Sequence, residues 1–453
     1  MGHVLLAAPG IRRYHLHERL ARELRTRGHR VTALCTDPVE FGFWTAQGMP
    51  ALLARPCRGE VPGIPARELA EVECRLAGLR PSRALLGRTA RWIHGIAAHC
   101  LRWFEHDPPD LLFLHGRRPG GQGALRFLAR QLGIGVLWTG SGLLPHTIQV
   151  DGEGIDGDSS ATRKTAFDYR SVAPNRVLLD AALTAVLARN EPFPLSRRPV
   201  HVPPLPERLR QAVAHALRPG GRGFLGALHA FREALPRESE YAAGRAELPA
   251  QPFVAVLLQG DDARTRLDSS VQAPPSRIVE AAAAAARSID ERMLVVAVLP
   301  REGIALRERN RIATMAGVRI ERAAAAPDAA AAAAAAVTIN HPLGALSMLA
   351  GTPVLHLGRA LYGIGCMALR SSIETLASDL RLAFAEQERD LCERFLTWLL
   401  TEGHVWCSPD VPDHNGLMGL VLEVEERLGA GHPEAVLLHY RPGPSWPLAA
   451  EGA

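Results

Sequence analysis

The chain has 453 residues, of which 47% are hydrophobic and 22% charged, so it is long enough for two or three globular domains of ordinary composition. Its net charge of +5 suits anionic ligands, a membrane surface or simply an arginine-rich proteome, and no alternation of basic and aromatic residues suggests nucleic acid as a partner. No apolar run reaches the roughly 20 residues of a membrane-spanning helix, and no basic region precedes the apolar start, so we expect a cytosolic protein.

The cysteines show neither a CxxC pair nor a metal-ligand spacing. They stand at positions 35, 57, 74, 100, 366, 392 and 407. An odd number without an export signal favours reduced structural thiols over a redox role, and we expect no metal site.

The first half of the chain alternates short apolar runs with amphipathic segments. "HVLLAA" and "HERLARELRTRGHRVTALCT" predict a strand, a helix ended by Gly28, and a second strand. The pattern returns at "DLLFLHG", "ALRFLARQLGI" and "GVLWTGSG". These segments predict a parallel sheet covered by helices, with functional loops after the strands.

The second half repeats this alternation at "QPFVAVLLQG", "RIVEAAAAAARSI", "MLVVAVLP", "AVTIN", "ALSMLA" and "TPVLHLG", which predicts a second parallel sheet. The alanine tracts at 281–286 and 329–336 are expected to be helices packed against it, because strand-like segments follow both. The last apolar segments, "LCERFLTWLLTEGHVW" and "GLMGLVLEVEERL", are predicted to be helical.

A proline-rich stretch between Pro192 and Pro206 predicts a linker between the halves. The predicted division is an N-terminal Rossmann-like domain at 1–190, a Pro-rich linker and helical segment at 191–248, a C-terminal Rossmann-like domain at 249–425 and a tail at 426–453. The predicted fold class is α/β, with two doubly wound parallel sheets facing across a cleft. A ligand is expected between the carboxyl ends of the sheets.

The stretch "VTINHPLGALSMLAGTPVLHLG", at 337–358, predicts a strand, a turn, a small-residue helix and another strand. Asn340 could cap this helix, and Gly344 removes side-chain bulk where a ligand could approach main-chain amides. Such a helix start binds phosphate, and His341 would add a donor beside it. An ordinary strand-to-helix turn capped by Asn340 explains the pattern equally well.

The stretch "LHGRRPGGQGALRF", at 114–127, is rich in glycine at the end of a predicted strand, so Arg117 or Arg118 could meet an anion there. It departs from the GxxxxGK[ST] loop of nucleotide triphosphatases, and no GxGxxG follows the first strand. A surface turn with solvated arginines is an equally good explanation.

The stretch "GVLWTGSGLLPHTIQVDGEGIDGDSS", at 135–160, places Ser141, His146 and Asp151 in or after a predicted loop. "GSGLL" is not the GxSxG turn of serine hydrolases, and "DGEGIDGDSS" lacks the spacing of a calcium-binding loop. A solvated acidic loop is the simpler interpretation.

Taken in order, these segments resemble motifs of the KpsS/KpsC-like capsule polysaccharide biosynthesis and export proteins. "HGRRPGGQGA" looks like that family's "GDCRPxHRxA", and "AVLLQGDDARTRLDSS" is similar to its "LLPLQxxxDSQIxxHS". "WTGSGLLPHTIQVDGEGIDGDSS" looks like its "VFEEGYLRPDxITLExxGVNGxS". The most specific match is "TINHPLGALSMLAGTPVLHLGRALYGIG", at 338–365, with "TINSTVGLxALxxGxPVxxLGRAxYxxPG".

The resemblance implies a GT-B glycosyltransferase fold and transfer of β-Kdo from CMP-Kdo to a lipid or a growing linker. The donor and its phosphate would be held by Gln259, Asn340, His341, Gly344 and Arg359, and the cleft would be lined by Arg118, Gly140, Ser141 and Gly142.

The chain departs from the family's pattern at its acidic and basic groups. The paired acids of the family correspond to Gly140 and Ser141 here, and its "KHHP" segment corresponds to "LPREG". Glycosyl transfer needs a base or nucleophile and positive groups for the leaving phosphate. His146 or Asp151 is therefore the expected catalytic group.

Two functional hypotheses follow. The first is a divergent capsule-type glycosyltransferase that uses a nucleotide sugar, with a CMP-linked donor as the family precedent, and a lipid or glycan acceptor. It would need no other cofactor, and it could contact the inner membrane peripherally or capsule-assembly proteins. The alternative is a catalytically degenerate GT-B relative that binds a glycan, a nucleotide or a partner protein. A nucleotide-sugar epimerase is weaker, because the histidine and carboxylate signatures of that family are not evident.

Overall fold

The structure is a computed structural model, which describes residues 1–7, 14–36, 38–77, 81–116, 120–144, 146–188, 248–260, 273–300, 304–408 and 412–429. The predicted linker at 191–248 lies outside the described residues except for its last residue, and the predicted tail at 426–453 lies outside them after residue 429.

The first sheet has seven strands in the order β3-β2-β1-β4-β5-β6-β13. They are β1 (His3–Ala7), β2 (Arg30–Cys35), β3 (Ala51–Leu53), β4 (Leu111–His115), β5 (Gly135–Ser141), β6 (Thr147–Asp151) and β13 (His404–Trp406). β6 runs antiparallel to both of its neighbours, and the other strand pairs are parallel. β1 and β4 are buried at every position, as expected for central strands covered on both faces.

Seven helices are described between β1 and residue 188. They are α1 (Tyr14–Thr26), α2 (Pro38–Ala46), α3 (Ala66–Leu76), α4 (Arg83–His106), α5 (Gln122–Leu132), α6 (Ala166–Tyr169) and α7 (Arg176–Ala188). The predicted end of α1 is confirmed, because Gly28 has φ +86° and its amide donates to the Arg25 carbonyl at 3.0 Å. A left-handed glycine of this kind closes many helices.

The second sheet has six parallel strands in the order β9-β8-β7-β10-β11-β12. They are β7 (Phe253–Leu257), β8 (Leu294–Val298), β9 (Val318–Glu321), β10 (Ala335–Thr338), β11 (Val354–His356) and β12 (Leu369–Arg370). Both sheets therefore follow the Rossmann order 3-2-1-4-5, counted from their own first strand. The expected α/β fold with two doubly wound sheets is confirmed.

The helices described in the second half are α8 (Pro275–Ile289), α9 (Leu306–Ala313), α10 (Ala326–Ala332), α11 (Leu343–Leu349), α12 (Leu376–Glu386), α13 (Arg389–Trp398) and α14 (His414–Arg427). The alanine tract at 281–286 is helical as predicted. The tract at 329–336 divides, because α10 ends at Ala332 and Ala335 begins β10, where it pairs with Val254 of β7. Alanine is small enough for a strand that is buried on both faces.

The chain crosses back to the first sheet at its C-terminal end. Residues 404–406, predicted to be helical, form β13, which pairs with β6. α14 then packs against α1 and β5. The structure thus differs from the predicted domain boundary at 425, because the segment from 404 onwards completes the first domain.

Residues between 143 and 186, in the first half of the chain, pack into the core of the second domain. Leu143, Leu144, Tyr169 and residues of α7 belong to one buried hydrophobic cluster with Leu343, Tyr362 and other residues of the second domain. The predicted boundary at 190 is therefore crossed by side-chain packing. Among the described residues, no helix combines the length and apolar character that a bilayer-spanning segment requires.

Candidate functional site

Each sheet has one point at which the direction of strand addition reverses. In the second sheet, β7 lies between β8 and β10, so the switch point is between β7 and β10. In the first sheet, β1 lies between β2 and β4, so the switch point is between β1 and β4. In open α/β sheets, ligands bind outside the carboxyl ends of the two strands at this point. The residues that directly follow β4, β7 and β10 are therefore the first candidates.

Gln259 and Asn340 follow the two switch-point strands of the second sheet, β7 and β10, and bind each other. The Gln259 Nε2 amide donates to Asn340 Oδ1 at 2.7 Å, and the Asn340 main-chain N–H donates to Gln259 Oε1 at 2.8 Å. Both side chains are buried, with 7% and 8% exposure. This reciprocal pair fixes the orientation of both amides and brings two of the predicted donor-site residues into direct contact.

His341 is held by three further contacts. Its main-chain N–H donates to Thr338 Oγ1 at 3.1 Å, its carbonyl accepts from the Tyr362 hydroxyl at 2.7 Å, and its ring Nδ1 accepts from the Leu343 amide at 3.1 Å. Because Nδ1 accepts, the neutral ring carries its proton on Nε2. The Nε2–H is thus the donor group of this ring.

The predicted cap by Asn340 is corrected by these contacts. The first amide of α11 is bound by the ring of His341, while the Asn340 side chain is engaged with Gln259. The sequence pattern favoured asparagine because asparagine is frequent at helix starts. In the structure, Gln259, which follows the neighbouring strand β7, binds the asparagine side chain instead.

Gly344 is required by packing. A Cβ on Gly344 would lie 2.3 Å from the Tyr362 hydroxyl oxygen, closer than any real contact. The space that the sequence suggested for an approaching ligand is occupied by this tyrosine.

Arg359 lies after β11 and reaches the first half of the chain. Its guanidinium donates to the Gly157 carbonyl at 2.5 Å and pairs with Asp158 at 3.1 Å. The positive charge predicted for a phosphate is thus engaged with the loop after β6, and it connects the carboxyl edge of the second sheet to that loop.

Gly140, Ser141 and Gly142 form the end of β5 and the start of the turn to β6. A Cβ on Gly140 would lie 2.7 Å from Ile155, and one on Gly142 would lie 1.9 Å from the Thr147 hydroxyl oxygen. Packing therefore explains both glycines. Ser141 is half-buried at the last position of β5.

His146 lies in the same turn, half-buried, with φ +56°. Leu143 and Leu144 of this turn belong to the hydrophobic cluster that contains Leu343 of α11. The turn that carries His146 and the helix that follows His341 are thus parts of one packed unit.

Asp151 ends β6 and holds the loop that follows. Its Oδ1 accepts from the amides of Glu153 and Gly154 at 2.6 and 3.0 Å. Its Oδ2 accepts from the hydroxyls of Ser159 and Ser160 and from the Ser160 amide, at 2.7–2.9 Å. Five donors occupy a carboxylate that offers about four lone-pair sites. The geometry assigns Asp151 to loop structure and argues against its predicted role as a base.

The glycine-rich loop after β4 binds a carboxylate of the protein itself. The amides of Gly120 and Gly121, at the start of α5, donate to the two carboxylate oxygens of Glu73 at 2.9 and 2.8 Å. Arg118, predicted to line the cleft, lies outside the described residues. Glu73 was missed by the sequence reasoning because it lies on α3, far from the loop in the chain.

Two histidines near the switch point of the first sheet were also missed. His115 ends β4, is buried, and its Nδ1 lies 2.8 Å from the Thr139 hydroxyl. Its ring lies 5.1 Å from that of His17 on α1, in an edge-to-face arrangement. The position of His115 after a predicted strand was the only signal available in the sequence.

No protein-family model and no curated protein matches the chain. Among solved structures, the glycotransferase of kitacinnamycin is similar, with 17% identity and a TM-score of 0.36 over 94% of this chain and 99% of its own. The KpsC β-Kdo 2,4-transferase of Thermosulfurimonas dismutans shows 14% identity and a TM-score of 0.39 over 70% and 88%. The calicheamicin glycosyltransferase CalG4 shows 17% identity and a TM-score of 0.37 over 96% and 100%. The fold assignment rests on the two sheets themselves.

Proposed function

We propose that the chain is a glycosyltransferase of GT-B type that uses a nucleotide sugar. The observation that carries this proposal is the paired amides of Gln259 and Asn340, followed by His341, at the switch point of the second sheet. In such sheets, ligands bind in the crevice outside the carboxyl ends of the switch-point strands, which is where these polar groups lie. The motif resemblance supports a CMP-linked donor.

In this proposal the bond between the sugar and the donor phosphate breaks while an acceptor hydroxyl attacks the sugar. His341 donates from Nε2 to the leaving phosphate, which stabilises the charge that develops there. His146 takes the proton of the acceptor hydroxyl, because Asp151 is occupied by its five donors. The acceptor, a lipid or a glycan, binds on the side of the first sheet. Cytoplasmic location with peripheral inner-membrane contact is part of the same proposal.

A second function is favoured by a specific observation. Arg359 and Asp151, two groups expected to act on the donor or acceptor, are both engaged in contacts that hold the loop at 151–160. The alternative is therefore a relative that binds a nucleotide or a glycan without transferring a sugar.

The experiment begins with thermal unfolding in the presence of CMP, UDP, GDP and their sugars. A ligand at 100 times its Kd stabilises the folded chain by about 2.7 kcal/mol. We expect one nucleotide to raise the Tm, and the double variant Asn340→Ala/His341→Ala to abolish the increase. His106→Ala, an exposed histidine at the end of α4, is the control and should retain it.

Release of free nucleotide from the stabilising nucleotide sugar then separates the two functions. Slow release that His146→Ala abolishes supports the enzyme. Binding without release, with and without a panel of glycan and lipid acceptors, supports the binding protein. No Tm increase with any nucleotide at millimolar concentration contradicts both nucleotide-based functions.

A further inference from the structure

The carbonyl oxygen of His341 accepts two hydrogen bonds. The Gly344 amide donates at 2.9 Å and the Tyr362 hydroxyl at 2.7 Å. The second bond links the turn after β10 to a residue after β11, so the orientation of the peptide between His341 and Pro342 depends on a side chain from another part of the sheet.

Tyr362 itself has little freedom. Its side chain is fully buried, and its ring meets that of His356 edge to face at 6.3 Å between centroids. The His356 Nδ1 lies 2.7 Å from the Gly358 carbonyl, which fixes this ring in turn. The hydroxyl fills the space that a side chain at Gly344 would need. The tyrosine is thus a rigid support beneath the turn.

We propose that Tyr362 is a positioning residue that sets the orientation and the tautomer of the His341 ring. The ring Nδ1 accepts from the Leu343 amide, and the peptide bound by Tyr362 lies between these two residues. Without the hydroxyl, the Gly344 amide alone holds this carbonyl, so the peptide can tilt, the Leu343 amide moves away from Nδ1, and the Nε2–H tautomer is no longer selected. The consequence for donor affinity rests on the proposed function.

Tyr362→Phe removes the hydroxyl and leaves the ring. Tyr169→Phe is the matched control, because Tyr169 is equally buried in the same hydrophobic cluster and its hydroxyl has no hydrogen-bond partner in the described part of the chain. Both variants therefore remove one buried hydroxyl from the same hydrophobic cluster, but only Tyr362→Phe removes a hydrogen bond to the His341 carbonyl.

The first measurement is the ¹⁵N NMR spectrum of histidine-labelled protein, in which His341→Gln identifies the signals of His341. We expect the Nε2–H tautomer in the wild type and in Tyr169→Phe, and a mixture of tautomers in Tyr362→Phe. The second measurement is the Kd for CMP, which we expect to rise about three- to tenfold in Tyr362→Phe alone, the effect of one lost hydrogen bond.

Identical His341 signals in Tyr362→Phe and in the wild type overturn the proposal, whatever the ligand result. A changed tautomer with an unchanged CMP affinity overturns the connection to donor binding. If the wild type binds no CMP and the tautomer still changes, the proposed donor fails while the positioning role of Tyr362 stands.

Discussion

Asp151→Asn distinguishes a structural carboxylate from a catalytic one. The change keeps the size of the side chain and replaces one acceptor oxygen by an NH₂ donor. In the native loop, both oxygens of Asp151 face donors, two main-chain amides at Oδ1 and three groups at Oδ2. Any orientation of the new amide therefore places its NH₂ against at least one main-chain N–H group.

The magnitude follows from the least costly orientation. The amide oxygen keeps the main-chain amides of Glu153 and Gly154, and the NH₂ faces the Ser160 amide and the hydroxyls of Ser159 and Ser160, which can rotate and accept from it. One main-chain hydrogen bond to a charged, buried acceptor is then lost, which is worth about 1.5–3 kcal/mol. We expect the free energy of unfolding to fall by about this amount at neutral pH.

Guanidinium unfolding followed by tryptophan fluorescence measures this loss, with each transition fitted separately, because a chain with two domains need not unfold in one step. Asp158→Asn lies in the same loop and has a half-exposed side chain, so it should stay within about 0.5 kcal/mol of the wild type. An Asp151→Asn variant as stable as the wild type that has lost sugar transfer would refute the structural role and restore Asp151 as the base.

Three further predictions concern other sites. Glu73→Ala leaves two main-chain amides at the start of α5 without their acceptor and should lower stability by about 2–3 kcal/mol in the same unfolding assay. Burial, followed by the charge of Arg30, lowers the pKa of His3, so the unfolded chain gains a proton that the folded chain lacks as pH falls below about 6.5. The Tm should therefore fall between pH 7.5 and 5.5, and less steeply in His3→Gln; an unchanged slope contradicts this. Iodoacetamide at pH 8 should label the exposed Cys366 in the folded protein, as peptide mapping would detect. Cys100, Cys392 and Cys407 should stay unlabelled, because burial raises the pKa of each thiol to about 12.

The parts of the fold that the sequence predicted depend on local pattern. The apolar runs of β1 and β4 and the glycine after α1 each act over a few residues, and each is found where the pattern places it. The strand at 404–406 was missed because it depends on a contact that is distant in sequence, its pairing with β6. A run of only three residues becomes a strand only beside a partner.

The candidate site shows the same limit in its side chains. The sequence brought Gln259, Asn340 and His341 into one prediction, and the structure places the first two in direct contact. It could not show that Tyr362 fills the space at Gly344 or that Arg359 reaches Asp158, which lies 201 positions earlier in the chain. Such contacts are set by tertiary packing, and local residue preference carries no information about them.

The return of the chain to the first sheet has a consequence during protein synthesis. β6 is made early, but its partner β13 emerges only after the whole second half of the chain. At ribosomal speeds of about 5–20 residues per second, this edge strand waits on the order of ten seconds or more without its neighbour. An unpaired strand edge invites association with other chains. The nascent protein is therefore expected to depend on chaperones over this interval, and a truncation before residue 404 should leave the first domain prone to aggregate even though most of its sheet is present.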